Sequence, residues 1–227
     1  MANADEPADA TPSPAQAGVQ DEDQARNARA DEKSRKRKAA RDKILATKTI
    51  EKGLLIVHTG KGKGKSTAAF GLVTRAIGND MRVGIVQYVK GKWETGERKV
   101  LEHFPDQVEI RTMGEGFTWE TQDRARDIAA AKAAWEASKQ MIEACRGANP
   151  RYDLILLDEL NIVLRYDYLP LQEVVDFLAN RPADLHVVVT GRNAKQPLIE
   201  AADLVTDMTM VKHPFRAGVK AQKGIEF

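Results

Sequence analysis

Thr59-Gly60-Lys61-Gly62-Lys63-Gly64-Lys65-Ser66 packs three glycines, three lysines and two hydroxyls into eight residues, a composition suited to gripping a polyphosphate. Glycines let successive backbone N–H groups turn inward on phosphate oxygens. A helix opening at Lys65-Ser66 adds a partial positive charge of roughly +0.5 at its N-terminus. Lys65 can then reach the terminal phosphates, while Ser66, with Thr67 beside it, offers a hydroxyl to Mg²⁺. The general phosphate-loop pattern is Gly, four residues, then Gly-Lys-Ser/Thr. Thr59 stands where that pattern has its first glycine. The bland alternative is a flexible Lys/Gly surface turn, which would not need Lys-Ser to open a helix.

A second chemical group is the acidic pair Asp158-Glu159, which follows the apolar run Leu154-Ile155-Leu156-Leu157. Four apolar residues and then an acid predict a strand that delivers a carboxylate to the ligand-binding edge of a sheet. There it can hold Mg²⁺ or a water bound to it, and a second carboxylate could orient a water. A helix cap or a surface pair is the plain alternative, and spacing does not settle whether Asp158 or Glu159 meets the metal. Arg75 and Arg192 are further candidates for nucleotide contact, against an alternative as surface ion pairs.

These groups need a scaffold, and the chain alternates strand and helix patterns. Leu54-Leu55-Ile56-Val57 reads as a buried strand ending at the glycine loop. Ala69, Leu72, Val73, Ala76 and Ile77 recur at helical spacing, with Gly78 as the stop. Further strands are expected at 82–89, 107–111, 154–157 and 186–190, and a last one near 204–210. Helices are expected at 122–146, with Thr121 as N-cap and Asp123 in the first turn, then at 171–180 and 196–202. Trp135 sits at core spacing on the long helix, and His58 at a strand end under the loop. Strands alternating with helices predict a RecA-like P-loop α/β fold, with a parallel sheet covered on both faces.

The bulk numbers bound this reading. A chain of 227 residues suits one α/β domain plus a tail. Residues 1–43 offer almost nothing to bury and read as a charged, largely disordered or partly helical tail; 44–227 form the domain. Acidic residues come first in the tail, and the basic run Lys33-Ser34-Arg35-Lys36-Arg37-Lys38 follows. That run has no interleaved aromatic to stack on bases, so a solvated linker is preferred to a nucleic-acid contact. The single cysteine, Cys145, excludes an internal disulfide and a thiolate metal cluster. With no signal-like N-terminus and no apolar run of ~20 residues, a cytoplasmic location is expected.

Between Gly60 and the C-terminus the chain resembles the P-loop class of ATP:corrinoid adenosyltransferases. The residues that carry the resemblance are the Thr59 loop, Val-Gln-Tyr-Val-Lys-Gly ending at Gly91, and Gly116-Phe117-Thr118-Trp119-Glu120-Thr121. Leu-Asp-Glu-Leu from Leu157, Asp-Tyr-Leu-Pro-Leu from Asp167, Thr-Gly-Arg from Thr190 and the block from Val211 to the end complete it. The resemblance covers roughly residues 53–227 and explains Thr59, because family members also carry Thr there.

The resemblance implies an alkyl transfer. A Co(I) corrinoid (cobalamin, cobinamide or cobyrinic acid a,c-diamide) attacks C5′ of ATP and expels triphosphate, in adenosylcobalamin synthesis or salvage. The loop, Lys65, Glu159 and Mg²⁺ would then serve the leaving group, with the nucleotide lying reversed in the cradle. Phe117 and Trp119 would crowd the lower corrin face and keep an axial ligand off cobalt; their alternative is as buried loop anchors. An N-terminal helix closing over the site, a homodimer and a flavodoxin-like reductase as electron donor are also implied. Trp93 is a candidate lid residue, and His213 has no assigned chemistry. The competing readings are a RecA-like ATPase acting on nucleic acid and a nucleotide-binding module without turnover.

Overall fold

The computed structural model describes residues 14–89, 95–113 and 123–226. The chain divides into two compact units, 1–50 and 51–227. In the first, residues 14–45 are helical. This helix, α1 (Pro14–Leu45), is rich in Ala, Arg, Lys, Glu and Gln, all good helix formers. It has no apolar face, and its described side chains are exposed. Lys36 and Glu32 pair across one turn at 2.7 Å.

The second unit is built on six strands: β1 (Leu55–Thr59), β2 (Val83–Gln87), β3 (Val108–Thr112), β4 (Leu154–Asp158), β5 (His186–Thr190) and β6 (Leu204–Asp207). They form one sheet in the order β3-β2-β4-β5-β1-β6, with every pair parallel. The helices are α2 (Lys65–Ile77), α3 (Gly96–Leu101), α4 (Arg124–Glu143), α5 (Leu160–Arg165), α6 (Leu171–Ala179) and α7 (Gln196–Ala201). A 3₁₀ turn spans Pro214–Ala217.

Period-two alternation along the strands feeds two cores. Leu55, Val57, Ile155, Leu157, Val187 and Val189 point to one face and pack with residues of α4 to α7. Ile56, Leu154, Leu156 and Val188 point to the other and pack with α2 and Leu101 of α3. All five residues of β4 are buried, as the unbroken apolar run requires of a strand covered on both sides. Trp135 is in the first core, edge-on to Phe177 at 5.4 Å.

Several element ends differ from expectation. The long helix opens at Arg124 with Asp123 as its N-cap, its carboxylate accepting from Arg126 N, so Asp123 does the work expected of Thr121. Thr121 itself lies outside the described residues. Gly78 does end α2, but in a right-handed conformation; the left-handed residue is Asp80. Helices α3 and α5 were not anticipated: α3 is short, and α5 opens on left-handed Glu159 without a side-chain cap. Among the described residues no helix is long and apolar enough to cross a membrane.

Candidate functional site

The loop from Gly60 to Gly64 joins β1 to α2 at the carboxyl edge of the sheet, where open α/β sheets bind ligands. Gly60 has φ 103°, and a Cβ there would lie 2.3 Å from Asp207 Oδ1 and 2.5 Å from Met208 O. Only glycine allows that turn against that wall. The wall is the chain leaving β6: Gly62 N donates to Met208 O at 2.6 Å, and Met208 N donates to Thr59 O at 2.9 Å. Thr59 has a reason to replace glycine, since its hydroxyl accepts from Ala194 N at 2.9 Å and ties β1 to the loop after β5.

α2 starts at Lys65 with no side chain capping its first N–H groups, the arrangement that receives an anion. Lys65 is 7% exposed and donates to Gly62 O. Its carbonyl lies 3.3 Å from Nδ1 of buried His58, which does sit beneath the loop. Burial, and then the charge of Arg192, push the Lys65 amine below its usual range. The same two causes lower Lys63, which also pairs with Glu226. Three cations thus converge on one cradle and oppose one another, a field that a polyphosphate would relieve.

Asp158 ends β4 and is 6% exposed. Thr190, at the end of β5, donates its hydroxyl to Asp158 Oδ1 at 2.7 Å. The Ser66 hydroxyl and the Gln87 amide lie beside the carboxylate. Burial raises its proton affinity, and these three donors act against that rise. Glu159 follows with φ 65°, a left-handed conformation that few bulky residues adopt. Its N–H donates to Thr190 Oγ1 at 2.9 Å. Its Oε2 is buried without a hydrogen-bond partner. Burial and the neighbouring Asp158 push its carboxyl up to about 7, against the pull of Lys65 and Arg192.

Gly191 makes room for this conformation. Its φ is 125°, and a Cβ there would lie 2.8 Å from Asn161 Cβ and 3.1 Å from Glu159 Oε2. Beyond Glu159 opens a cleft of about 820 Å³, lined by the apolar Ile162, Tyr166, Met210 and Phe215 and by Arg165, Arg192, His213 and Arg216. A second cleft of about 370 Å³ lies beside Thr59 and Gly60 and shares Met210 and Arg216 with the first. His213 caps the 3₁₀ turn through Nδ1, which accepts from Phe215 N at 3.2 Å.

The donor set fits Mg²⁺. Ser66, Asp158 and Glu159 offer only oxygen, and Glu159 Oε2 has no hydrogen-bond partner among the described residues. No cluster of three or more His, Cys, Asp or Glu ligands occurs among the described residues. Mg²⁺ commonly needs just one or two carboxylates plus phosphate oxygens.

The sequence-predicted residues therefore divide. Lys63, Lys65, Ser66, Asp158, Glu159 and Arg192 come together around the cradle. Lys61 and Thr67 are exposed at the loop and in the first turn of α2. Arg75 is not brought to the cradle: it sits exposed in the last turn of α2, about 15 Å along the axis from Lys65 at 1.5 Å per residue. Phe117, Trp119 and Trp93 lie outside the described residues. Sequence reasoning missed the roles of Gln87 and Thr190, though each is the last residue of a strand, where polar side chains meet ligands.

Residues 51–227 match the family described as ATP:corrinoid adenosyltransferase BtuR/CobO/CobP. A corrinoid adenosyltransferase from Sinorhizobium sp is 58% identical over 197 residues, covering 86% of this chain and 90% of that protein. One from Pseudomonas aeruginosa is 53% identical over 196 residues, covering 86% and 94%. One from Escherichia coli K12 is 48% identical over 186 residues, covering 82% and 91%.

Proposed function

The chain belongs to the ATP:corrinoid adenosyltransferase family, and on that premise we propose how its residues move the 5′-deoxyadenosyl group of ATP onto Co(I) of a corrinoid. The carrying observation is that the phosphate cradle adjoins the large cleft, with Glu159 and Arg192 belonging to both. A leaving triphosphate and an attacking macrocycle need that adjacency.

The cobalt supplies both electrons of the new cobalt–carbon bond, and the C5′–O pair departs with triphosphate. No proton has to move, so the protein's task is positioning and charge. The uncapped N–H groups of α2, Lys65 and Arg192 hold the triphosphate and answer the charge it gains. Ser66 and Asp158, which lie beside each other, would hold Mg²⁺. Bound there, Mg²⁺ would supply further positive charge to the departing oxygens. Glu159 faces Lys65 and Arg192 and keeps both cations aimed at the phosphate. Ile162, Tyr166 and Phe215 give the corrin an apolar wall, and Arg165 and Arg216 meet its polar periphery. By the resemblance, Phe117 and Trp119 would crowd the lower face of the corrin and favour reduction to Co(I).

We further take the enzyme to be a cytoplasmic homodimer served by a flavodoxin-like reductase; its one cysteine, buried and free, suits a reducing compartment. The test is incubation with ATP, Mg²⁺ and chemically reduced cob(I)alamin, followed spectroscopically for cobalt–carbon bond formation. Triphosphate should appear in step with that bond and only with reduced corrinoid. Release of ADP and phosphate without corrinoid would instead favour a hydrolytic ATPase. For the aromatics, Phe117→Ala and Trp119→Ala should be slow from Co(II) plus reductant yet retain much of the rate from preformed Co(I). Equal losses from both states would leave them as packing residues.

A further inference from the structure

The motif Val-Gln-Tyr-Val-Lys-Gly has so far contributed no chemistry, yet Gln87 within it stands next to Asp158. The final residues of neighbouring parallel strands align: Gln87 of β2 is in register with Thr112 of β3 on one side and with Asp158 of β4 on the other. Their side chains form a row of polar groups. Arg98 Nη1 of α3 donates to Thr112 Oγ1 at 3.0 Å. Thr112 Oγ1 donates to Gln87 Oε1 at 3.1 Å. The Gln87 amide in turn lies beside the Asp158 carboxylate.

An arginine only donates, so Thr112 Oγ1 accepts from Arg98, and the Thr112 hydroxyl donates its own proton to Gln87 Oε1. With Oε1 so engaged, the Gln87 amide must turn its NH₂ toward Asp158, and an ionised carboxylate only accepts. Asp158 then faces side-chain donors on three sides, with Thr190 hydrogen-bonded to Oδ1 and the Ser66 hydroxyl and Gln87 amide beside the carboxylate.

We propose that Gln87 and Thr112 are positioning residues for the phosphate–metal site, holding the Asp158 carboxylate in the single orientation that serves Mg²⁺ together with Ser66. This rests on the reading that Asp158 and Ser66 hold the metal. Thr112→Val keeps the shape and strand propensity of the residue but removes the proton that orients Gln87. The amide is then free to flip and present its oxygen to the carboxylate.

Calorimetric titration with ATP, in EDTA and then in Mg²⁺ and without corrinoid, separates the roles. Wild type should bind ATP more tightly with Mg²⁺. Thr112→Val should lose about tenfold of that enhancement, the scale of one hydrogen bond to a charged group. Its affinity in EDTA and its melting temperature should stay near wild type. Thr112→Ser should restore the enhancement, and Gln87→Met, which has the length without the hydrogen bonds, should repeat the defect. Unchanged metal enhancement in Thr112→Val, or an equal loss in EDTA and Mg²⁺, would overturn this inference alone. A wild type indifferent to Mg²⁺ would overturn the metal reading of Asp158 and Ser66, and this inference with it.

Discussion

Lys65 is buried among Arg192, Lys63, Glu159 and Asp207, and its amine is lowered by desolvation first and by Arg192 second. A lysine held in that environment has its charge aimed where a leaving triphosphate gains charge. Lys65→Ala should therefore reduce turnover at saturating ATP by about 100- to 1,000-fold, the effect of losing one preorganised donor. Activity within about threefold of wild type would remove Lys65 from the mechanism. Glu159 allows a separate test on the protein without ligands. Its ordinary carboxyl value is 4.5, and the folded site raises it to about 7. Between those values the folded state binds more protons than the unfolded chain, so stability falls as pH rises through the window. The destabilisation is absent below about 4.5 and complete above about 7. In EDTA, Glu159→Gln should gain about 2–3 kcal/mol on wild type between pH 5 and pH 8, the free energy of roughly two units. Urea unfolding at both pH values measures it, and a flat difference would mean that Glu159 does not hold a proton in the folded state.

At the scale of elements, the phosphate loop is shaped from behind by the chain leaving β6. Gly60→Ala would drive a Cβ into Asp207 and Met208 O at a backbone angle that alanine rarely adopts. We expect a loss of about 1–3 kcal/mol in stability, together with weaker ATP binding, because the wall and the cradle share one backbone. Gly71→Ala is the matched control. Gly71 is exposed on α2, and a Cβ there meets nothing within 4 Å. That change should stabilise by about 0.5–1 kcal/mol, visible as a raised melting temperature with ATP affinity unchanged. The glycine loop itself was legible in the sequence because its chemistry is local. The β6 wall was not, because Gly62 and Met208 are joined only by tertiary folding. The corrected cap at Asp123 shows the usual limit of such reading: a cap is chosen by where the chain enters the helix, and several residues upstream can serve.

At the scale of the whole molecule, the two units differ in what they have to bury. Unit 51–227 contains both hydrophobic clusters. α1 has only polar and charged described side chains, apart from its alanines and its terminal Ile44-Leu45. Deleting residues 1–32 should leave the melting temperature of the 51–227 unit within about 2 °C. A larger drop by calorimetry would mean that the first part of α1 belongs to the stable core.

What the sequence determined by itself was local: a glycine-rich turn between an apolar run and a 3.6-residue repeat, apolar runs short enough to be buried strands, and an acid at the end of one of them. These features follow from backbone freedom and side-chain periodicity within a few residues, so spacing alone reveals them. The sheet order β3-β2-β4-β5-β1-β6 was not determined in that way. It brings Thr112, Gln87, Asp158 and Thr190 into one row of adjacent strand ends from four separate stretches of chain. It also sets Arg192 against Lys65 while leaving Arg75 at the far end of α2. Which carboxylate is tied to Ser66, and which arginine reaches the cradle, depend on strand pairing across long stretches of sequence, and only the tertiary structure decides such pairings.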